Sequence, residues 1–112
     1  MVAQVPDKGD LVFLNFSPQS GHEQAGYRPA IVLSPKLFNR GAFLFACPIT
    51  SQEKGYPFEV KVPDGYKVNG VILTDQLRSL DWKSRNLKIV DKASDTTIQE
   101  CLELISTFIN FD

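Results

Sequence analysis

Short apolar runs, bounded by glycine, proline or polar turn residues, follow one another along most of the chain. Residues 10–16 (DLVFLNF) and 42–49 (AFLFACPI) are rich in β-branched and aromatic side chains, which predicts strands. Residues 29–34 are almost continuously apolar, which predicts a strand buried on both faces. Closely spaced short strands of this kind predict a mainly β fold, either a barrel or a sandwich.

The middle of the chain adds three shorter elements to this pattern. Residues 56–62 (YPFEVKV) alternate apolar and polar positions, which is typical of a half-exposed strand. Short strands are also predicted at residues 70–74 and 87–90, and residues 35–41 suit a single helical turn or an ordered loop. Pro48 lacks an N–H, so a strand tolerates it only at an edge, a terminus or a bulge.

The apolar period changes to that of a helix after Ser94. Apolar side chains then recur every three or four residues, at Ile98, Cys101, Leu102, Ile105 and Ile109. Ser94 to Thr97 all offer N-cap side chains, and either Thr97 with Glu100 or Thr96 with Gln99 is spaced for a capping box. One C-terminal helix is therefore expected to pack on the strands.

Length and composition limit the function classes. With 112 residues and an apolar share of 43%, the chain is expected to form one domain over residues 1–112. Its net charge of −1 argues against broad coating of nucleic acid, so an RNA partner would need a local basic groove. No apolar segment is long enough for a bilayer and the start does not resemble a signal peptide, which predicts a cytoplasmic protein without membrane contact.

The cysteine and histidine content is low. Cys47 and Cys101 lie in apolar runs, which favours two buried reduced thiols over a disulfide. With two cysteines and one histidine, no metal-ligand spacing is present, and neither a metal nor another cofactor is expected.

Candidate chemistry concentrates in residues 21–35, GHEQAGYRPAIVLSP. A polar loop carrying His22, Glu23 and Arg28 leads directly into the apolar second strand. Pro29 has a fixed φ and biases Arg28 toward an extended backbone, which gives the guanidinium a defined direction. Taken alone, such a cluster is more typical of a solvated loop than of a functional site.

Four sequence blocks change that interpretation: residues 21–35, residues 47–50 (CPIT), residues 54–58 (KGYPF) and residues 70–78 (GVILTDQLR). In content, order and spacing they closely resemble the MazF/PemK/Kid family of bacterial toxins, and the resemblance extends over nearly the whole chain. It implies an SH3-like barrel, a homodimer, and sequence-selective, metal-independent cleavage of single-stranded RNA (mRNA). It also implies a cognate MazE-like antitoxin that holds the toxin inactive.

The resemblance assigns catalysis to Arg28 and Thr50, which match the pair used by MazF-like members. Attack by a 2′-hydroxyl requires a base, stabilisation of the phosphate charge and protonation of the leaving 5′-oxygen, and it leaves 2′,3′-cyclic phosphate and 5′-hydroxyl ends. The planar guanidinium of Arg28 matches two phosphate oxygens. The Thr50 hydroxyl and the Ser51 N–H are expected to donate to the same phosphate.

The general base stays open among three residues. Glu23 matches a family position tied to activity, and His22 matches a histidine that Kid-like members use and is the side-chain type that titrates nearest neutrality. Asp75 matches a Kid-type acid, but the arginine that accompanies it there is replaced by Leu73. Tyr27 stands where some MazF-like members have a histidine.

RNA contacts are expected from loop residues, because single strands are bound by stacking on aromatic rings and by polar contacts to base edges and phosphates. The predicted RNA-binding residues are Ser51, Lys54, Tyr56, Asp75, Gln76 and Arg78. Phe38, Tyr66 and Trp82 are further aromatic residues in or beside polar loops, some of them expected in the core or at a dimer contact.

Two other functions are compatible with the same fold. A small SH3-like module can bind RNA or peptides without catalysis, and a family member outside a toxin–antitoxin pair can be a degenerate regulator. The presence of Arg28 and Thr50 argues against degeneracy.

Overall fold

The computed structural model describes residues 4–17, 21 and 23–109. Two helices, α1 (Lys36–Asn39) and α2 (Asp95–Ser106), accompany the strands, and Thr74–Gln76 and Trp82–Ser84 form 3-10 turns. The described residues form seven strands: β1 (Asp10–Asn15), β2 (Tyr27–Val32), β3 (Leu44–Thr50), β4 (Glu59–Lys61), β5 (Val71–Leu73), β6 (Arg78–Leu80) and β7 (Lys88–Lys92).

All strand pairs are antiparallel, and their order is β4-β5-β3-β2-β1-β7, with β6 also paired to β3. The predicted mainly β fold with a C-terminal helix is confirmed. Among the described residues no pairing joins β7 to β4 or β6, so the SH3-like barrel is not closed.

The strand predictions hold for most elements, with two corrections. The predicted strand at residues 56–62 is confined to Glu59–Lys61, because the Glu59 N–H donates to the Tyr56 carbonyl (3.1 Å) and closes a turn instead. Strand β6 was not predicted, since three residues are too few to show a period. Residues 36–39 form the single helical turn that was expected.

Pro48 lies inside β3, at a position where the strand changes neighbours. On one side it pairs with Ala30 of β2. On the other side β6 pairs with β3 only as far as Ala46, and β5 begins at Ile49. Because no β5 or β6 residue pairs with Pro48, the missing N–H leaves no gap in a ladder.

Alternation along the strands builds two cores, one on each face of the sheet. The first joins Leu11, Ile31, Cys47, Ile49 and Ile72 to the α2 residues Ile98, Cys101 and Ile105. The second contains Val12, Leu14, Phe16, Ala30, Val32, Leu44, Ala46, Leu80 and Trp82. Consecutive residues of β2 therefore enter opposite cores, which confirms its burial on both faces.

The two cysteines are free and buried, as predicted. Burial in an apolar environment raises the pKa of the Cys47 thiol and raises that of Cys101 to about 12, because the charged thiolate loses its hydration.

Helix α2 begins at a single serine cap. The Ser94 hydroxyl accepts a hydrogen bond from the Thr97 N–H at 3.2 Å. Both predicted capping boxes are wrong, since each needs Thr96 or Thr97 as the N-cap, and both residues lie within the first helical turn. In the part of the chain that the structure describes, no helix is long and apolar enough to cross a membrane.

Candidate active site

The register of β2 and β3 brings Arg28 and Thr50 together. Ala30 pairs with Pro48 and Ile31 pairs with Cys47. The same register, continued to the start of β2, sets Arg28 opposite Thr50. Both side chains are half-buried and line one cavity of about 400 Å³, together with Ser51. Two residues far apart in sequence are thus placed side by side by the sheet.

The guanidinium of Arg28 is held from one side only. Its Nε donates to the Ala25 carbonyl at 2.8 Å, which fixes the plane of the group. Within residues 4–17, 21 and 23–109, its two terminal nitrogens have no hydrogen-bond or ion-pair partner. Arg28 therefore presents a fixed, charged fork to the cavity, which suits two oxygens of a phosphate.

Thr50 is oriented by the chain that follows it. Its Oγ1 accepts a hydrogen bond from the Gln52 N–H at 3.2 Å, an ST-turn at the end of β3. This bond uses a lone pair of the hydroxyl and leaves the hydroxyl hydrogen to donate elsewhere.

A second cavity, of about 290 Å³, adjoins the first and shares Gln24, Thr50 and Gln52 with it. We call the two together the groove. The structure brings most predicted site residues to it: the first cavity contains Arg28, Thr50 and Ser51, and the second contains Thr50, Lys54, Tyr56, Asp75 and Gln76.

Every residue of the loop from Ser51 to Pro57 is exposed, and one carboxylate accepts hydrogen bonds from two of its backbone N–H groups. Glu59 accepts hydrogen bonds from the Lys54 N–H (3.2 Å) and the Gly55 N–H (3.0 Å). The Lys54 ammonium lies 5.9 Å from the centre of the Tyr56 ring. Glu59 was predicted only as a polar position of a half-exposed strand, because the alternation of residues 56–62 gives no sign that its carboxylate accepts hydrogen bonds from the preceding loop.

Gln76 joins the two sides of the groove. Its Oε1 accepts a hydrogen bond from the Gln24 N–H at 2.9 Å. This contact ties the loop before β2 to the 3-10 turn that carries Asp75. Glu23 is exposed beside that contact, whereas His22 lies outside the described residues.

Arg78 and two of the aromatic candidates lie outside the groove. Arg78 Nη1 donates to the Phe16 carbonyl at 2.9 Å, with the guanidinium 5.8 Å from the Phe16 ring centre. Trp82 is buried and donates from Nε1 to the Asn39 carbonyl at 2.8 Å, and Tyr66 packs against the first core. Trp82 and Tyr66 therefore serve the core, as was expected for some of these aromatic residues.

A second arginine fixes the end of β1, where the loop toward Arg28 begins. Arg85 Nη1 donates to the carbonyls of Asn15 and Ser17, each at 2.9 Å, and its Nε lies 2.7 Å from Asp81 Oδ1. Hydrogen bonds from the Ser84 hydroxyl and from Arg85 lower the pKa of Asp81.

Comparison with known proteins places this geometry in a family. The model for "PemK-like, MazF-like toxin of type II toxin-antitoxin system" matches residues 7–109. The chain is 46% identical to the endoribonuclease toxin MazF of Escherichia coli K12 over 107 residues, covering 95% of this chain and 92% of that one.

Solved structures agree. MazF from Deinococcus radiodurans superposes with a TM-score of 0.93 at 46% identity, covering 97% of this chain and all of that one (100%). A MazE–MazF structure from the same organism gives 0.88 at 46% identity, with 98% and 100% covered. The chain belongs to the family of PemK-like, MazF-like toxins of type II toxin–antitoxin systems.

Proposed function

We propose that this chain is the toxin of a type II toxin–antitoxin system and acts as an endoribonuclease on single-stranded RNA, chiefly mRNA. The observation that carries the proposal is that Arg28 and Thr50 line one cavity, in a chain 46% identical to an endoribonuclease toxin. Both residues are the types needed to hold a phosphate as its charge increases.

The proposed reaction is a transfer of the phosphodiester to the neighbouring 2′-oxygen. The base takes the 2′-hydroxyl proton, the 2′-oxygen forms a bond to phosphorus, and the bond from phosphorus to the 5′-oxygen breaks as that oxygen gains a proton. The terminal nitrogens of Arg28, the Thr50 hydroxyl and the Ser51 N–H donate to the phosphate oxygens. Because these donors supply the charge stabilisation, we propose that the reaction is metal-independent and leaves 2′,3′-cyclic phosphate and 5′-hydroxyl ends.

Three variants distinguish the candidate bases: His22→Gln, Glu23→Gln and Asp75→Asn. Loss of the true base removes the limb of the pH–kcat profile that reports its deprotonation, whereas loss of an RNA contact raises KM and leaves the profile unchanged. Asp75 lines the second cavity, and Glu23 precedes Gln24, which lines both. The pH profiles of the three variants therefore assign the role.

We propose that RNA runs through the second cavity as a single strand. Tyr56 is 56% exposed and offers a ring on which an unstacked base can lie. Lys54 lies beside the Tyr56 ring and supplies a local positive charge. Because the protein as a whole has a net charge of −1, binding of RNA phosphates requires such local charge. The side-chain amide of Gln76, together with Asp75, suits base edges. We propose Ser51 as one of the phosphate donors and Arg78, which lies outside the groove, as a further RNA contact.

A homodimer is proposed from an apolar surface away from the groove. A cavity of about 500 Å³ is lined almost wholly by apolar side chains, among them Leu33, Phe38, Phe45, Leu77 and Ile105. Phe38 is 48% exposed and Phe45 is 38% exposed, with ring centres 5.5 Å apart. A second copy of the chain would bury these rings, and sedimentation at micromolar concentration tests the association.

We further propose a MazE-like antitoxin as inhibitor and the cytoplasm as the site of action. The first rests on the MazE–MazF structure that this fold resembles. The cytoplasmic site of action is inferred from the proposed substrate, because mRNA is present and cleaved in the cytoplasm. Co-expression with a candidate MazE-like chain should restore growth that the toxin alone arrests.

The central experiment incubates purified protein with a long RNA in EDTA and maps the new 5′ ends. Cleavage at a recurrent short sequence, abolished by a 2′-deoxy substitution at the cut nucleotide, is expected. Tight binding without cleavage would instead support a non-catalytic RNA-binding module.

A further inference from the structure

Gly70 packs against the peptide that joins Thr50 to Ser51. Its φ of +124° is a conformation that side chains rarely adopt. A Cβ on Gly70 would meet the Thr50 carbonyl oxygen well inside 3.0 Å, the Thr50 carbonyl carbon at 2.8 Å and the Ser51 nitrogen at 3.2 Å. Position 70 therefore accommodates only glycine, because a side chain there would collide with the backbone at the end of β3.

The two sides of this contact are not equally fixed. The Gly70 carbonyl accepts a hydrogen bond from the Val62 N–H at 2.9 Å, and the next residue, Val71, pairs with Lys61 of β4. Val71 also pairs with Thr50, so that pairing holds both sides of the contact alike. Ser51, by contrast, begins a loop that is exposed as far as Pro57. A side chain at position 70 would therefore displace the Thr50–Ser51 peptide more readily than Gly70 itself.

That peptide carries two of the proposed phosphate donors. The Ser51 N–H belongs to it directly, and the Thr50 hydroxyl is oriented by the Gln52 N–H immediately after it. Relief of the clash requires a movement on the order of 1 Å, which is enough to misalign donors aimed at a transition state.

We propose that Gly70 is a positioning residue, whose missing side chain sets where the Thr50 hydroxyl and the Ser51 N–H meet the scissile phosphate. This inference rests on the proposed endoribonuclease function. Gly70 lines neither cavity of the groove, so we expect its effect to be confined to kcat, with binding of the RNA chain along Lys54 and Tyr56 preserved.

Two glycines provide matched controls. Gly65 has a φ of +99° and nothing within 4 Å of its Cβ position, so Gly65→Ala introduces the backbone strain without the clash. Gly9 has a φ of +92°, and its Cβ would meet Ile98 Cδ1, the flexible end of a core side chain, inside 3.0 Å. Gly9→Ala therefore introduces the strain with a milder clash, which the Ile98 side chain can relieve by moving. Neither lines the groove.

The test compares the three alanine variants at 10 °C, with rates expressed per folded molecule by titration with a non-cleavable 2′-deoxy oligonucleotide. Gly70→Ala should lower kcat on the order of tenfold to a hundredfold, with KM and oligonucleotide affinity within about twofold of wild type. Gly65→Ala and Gly9→Ala should keep the wild-type kcat. In amide NMR spectra, the Thr50 and Ser51 resonances should shift in Gly70→Ala alone.

The outcomes separate the two proposals. If the wild-type protein does not cleave RNA, the proposed function is wrong. The Thr50 and Ser51 amide shifts in Gly70→Ala then show by themselves whether Gly70 sets the position of this peptide. If wild type cleaves and Gly70→Ala matches Gly65→Ala, or loses affinity as much as kcat, the positioning role is wrong. Failure of Gly70→Ala to fold at 10 °C while Gly9→Ala folds would also overturn it, because Gly70 would then serve the fold.

Discussion

The groove has two halves that are built in different ways. In the strand-end half, Arg28 and Thr50 stand on neighbouring strands whose register fixes their separation, and Gly70 backs the second of them. In the loop half, Lys54 and Tyr56 lie on an exposed loop. Its backbone is held by hydrogen bonds from the Lys54 and Gly55 N–H groups to the Glu59 carboxylate, not by pairing with a strand. From this difference we propose that the sheet fixes the groups of the chemical step, whereas the loop adapts to the RNA.

The largest effect is expected at Arg28. Arg28→Ala removes the charged fork and should lower kcat on the order of a hundredfold to a thousandfold, by analogy with loss of an oxyanion donor. Arg28→Lys keeps the charge and loses the planar geometry, so its kcat should lie between wild type and Arg28→Ala. Single-turnover cleavage of a defined RNA measures both.

Both Arg28 variants should fold and associate like wild type, because the Arg28 side chain lines the first cavity and belongs to neither core. Near-wild-type cleavage by a folded Arg28→Ala protein would show that the chemical step does not need Arg28, and His22 and Glu23 would become the main catalytic candidates.

A smaller effect of another kind is expected at Lys54. Lys54→Gln removes one phosphate-neutralising charge, so KM should rise several-fold, kcat should be unchanged, and the slope of log KM against log salt should become shallower by about one unit. Lys61→Gln is the control, since Lys61 is exposed on β4 outside the groove. An equal fall in kcat and kcat/KM for Lys54→Gln would instead place the loop half in the chemical step.

Glu59 tests how much order the loop half needs. Glu59→Ala frees the Lys54 and Gly55 N–H groups and should raise KM by about twofold to fivefold, because ordering the loop then opposes binding. Glu59→Gln keeps an acceptor oxygen and should remain closer to wild type. Hydrogen exchange at the Gly55 amide should rise in the alanine variant. Unchanged exchange there would show that the loop is ordered by other contacts.

The smallest effect is expected at Asp81, which supports the end of β1 through Arg85. Its pKa is lowered from 3.8, so this carboxylate stabilises the fold above its ordinary titration range, and the contribution is lost as pH falls through and below that value. Asp81→Asn should lower the Tm slightly at pH 7, and the gap from wild type should close toward pH 3. The gap stays small because the Asp81 side chain is half exposed and solvent screens its interaction with Arg85. A gap that widened in acid would contradict the assignment.

Much of the fold could be predicted from local pattern. Strand β1 was predicted from its β-branched and aromatic content and helix α2 from its clear helical period, and the sequence blocks around Arg28 and Thr50 carry the family resemblance. Strand β6 is too short for a period, and the shortened β4 depends on a turn at Tyr56 that the alternation hides.

The site was predicted only as a set of residues. Which of them meet depends on register, and register is a property of paired strands. Gly70 meets the Thr50 backbone only once β3 and β5 pair, so its close approach could not be predicted from sequence. Glu59 contacts its own preceding loop, but the alternation of residues 56–62 hides the turn that makes this contact possible. Arg78 was assigned to RNA from its block alone, and its contact with Phe16 depends on how β6 and β1 are placed.

The burial of both thiols has a consequence for how this protein withstands oxidants. Peroxide and disulfide reagents attack thiolates, and a cysteine whose pKa is raised to about 12, as at Cys101, holds almost no thiolate near neutral pH. Cys47 is equally buried, and the residues placed at the groove include no cysteine. RNA cleavage should therefore persist through oxidative stress, and thiol labelling of the folded protein should report unfolding alone.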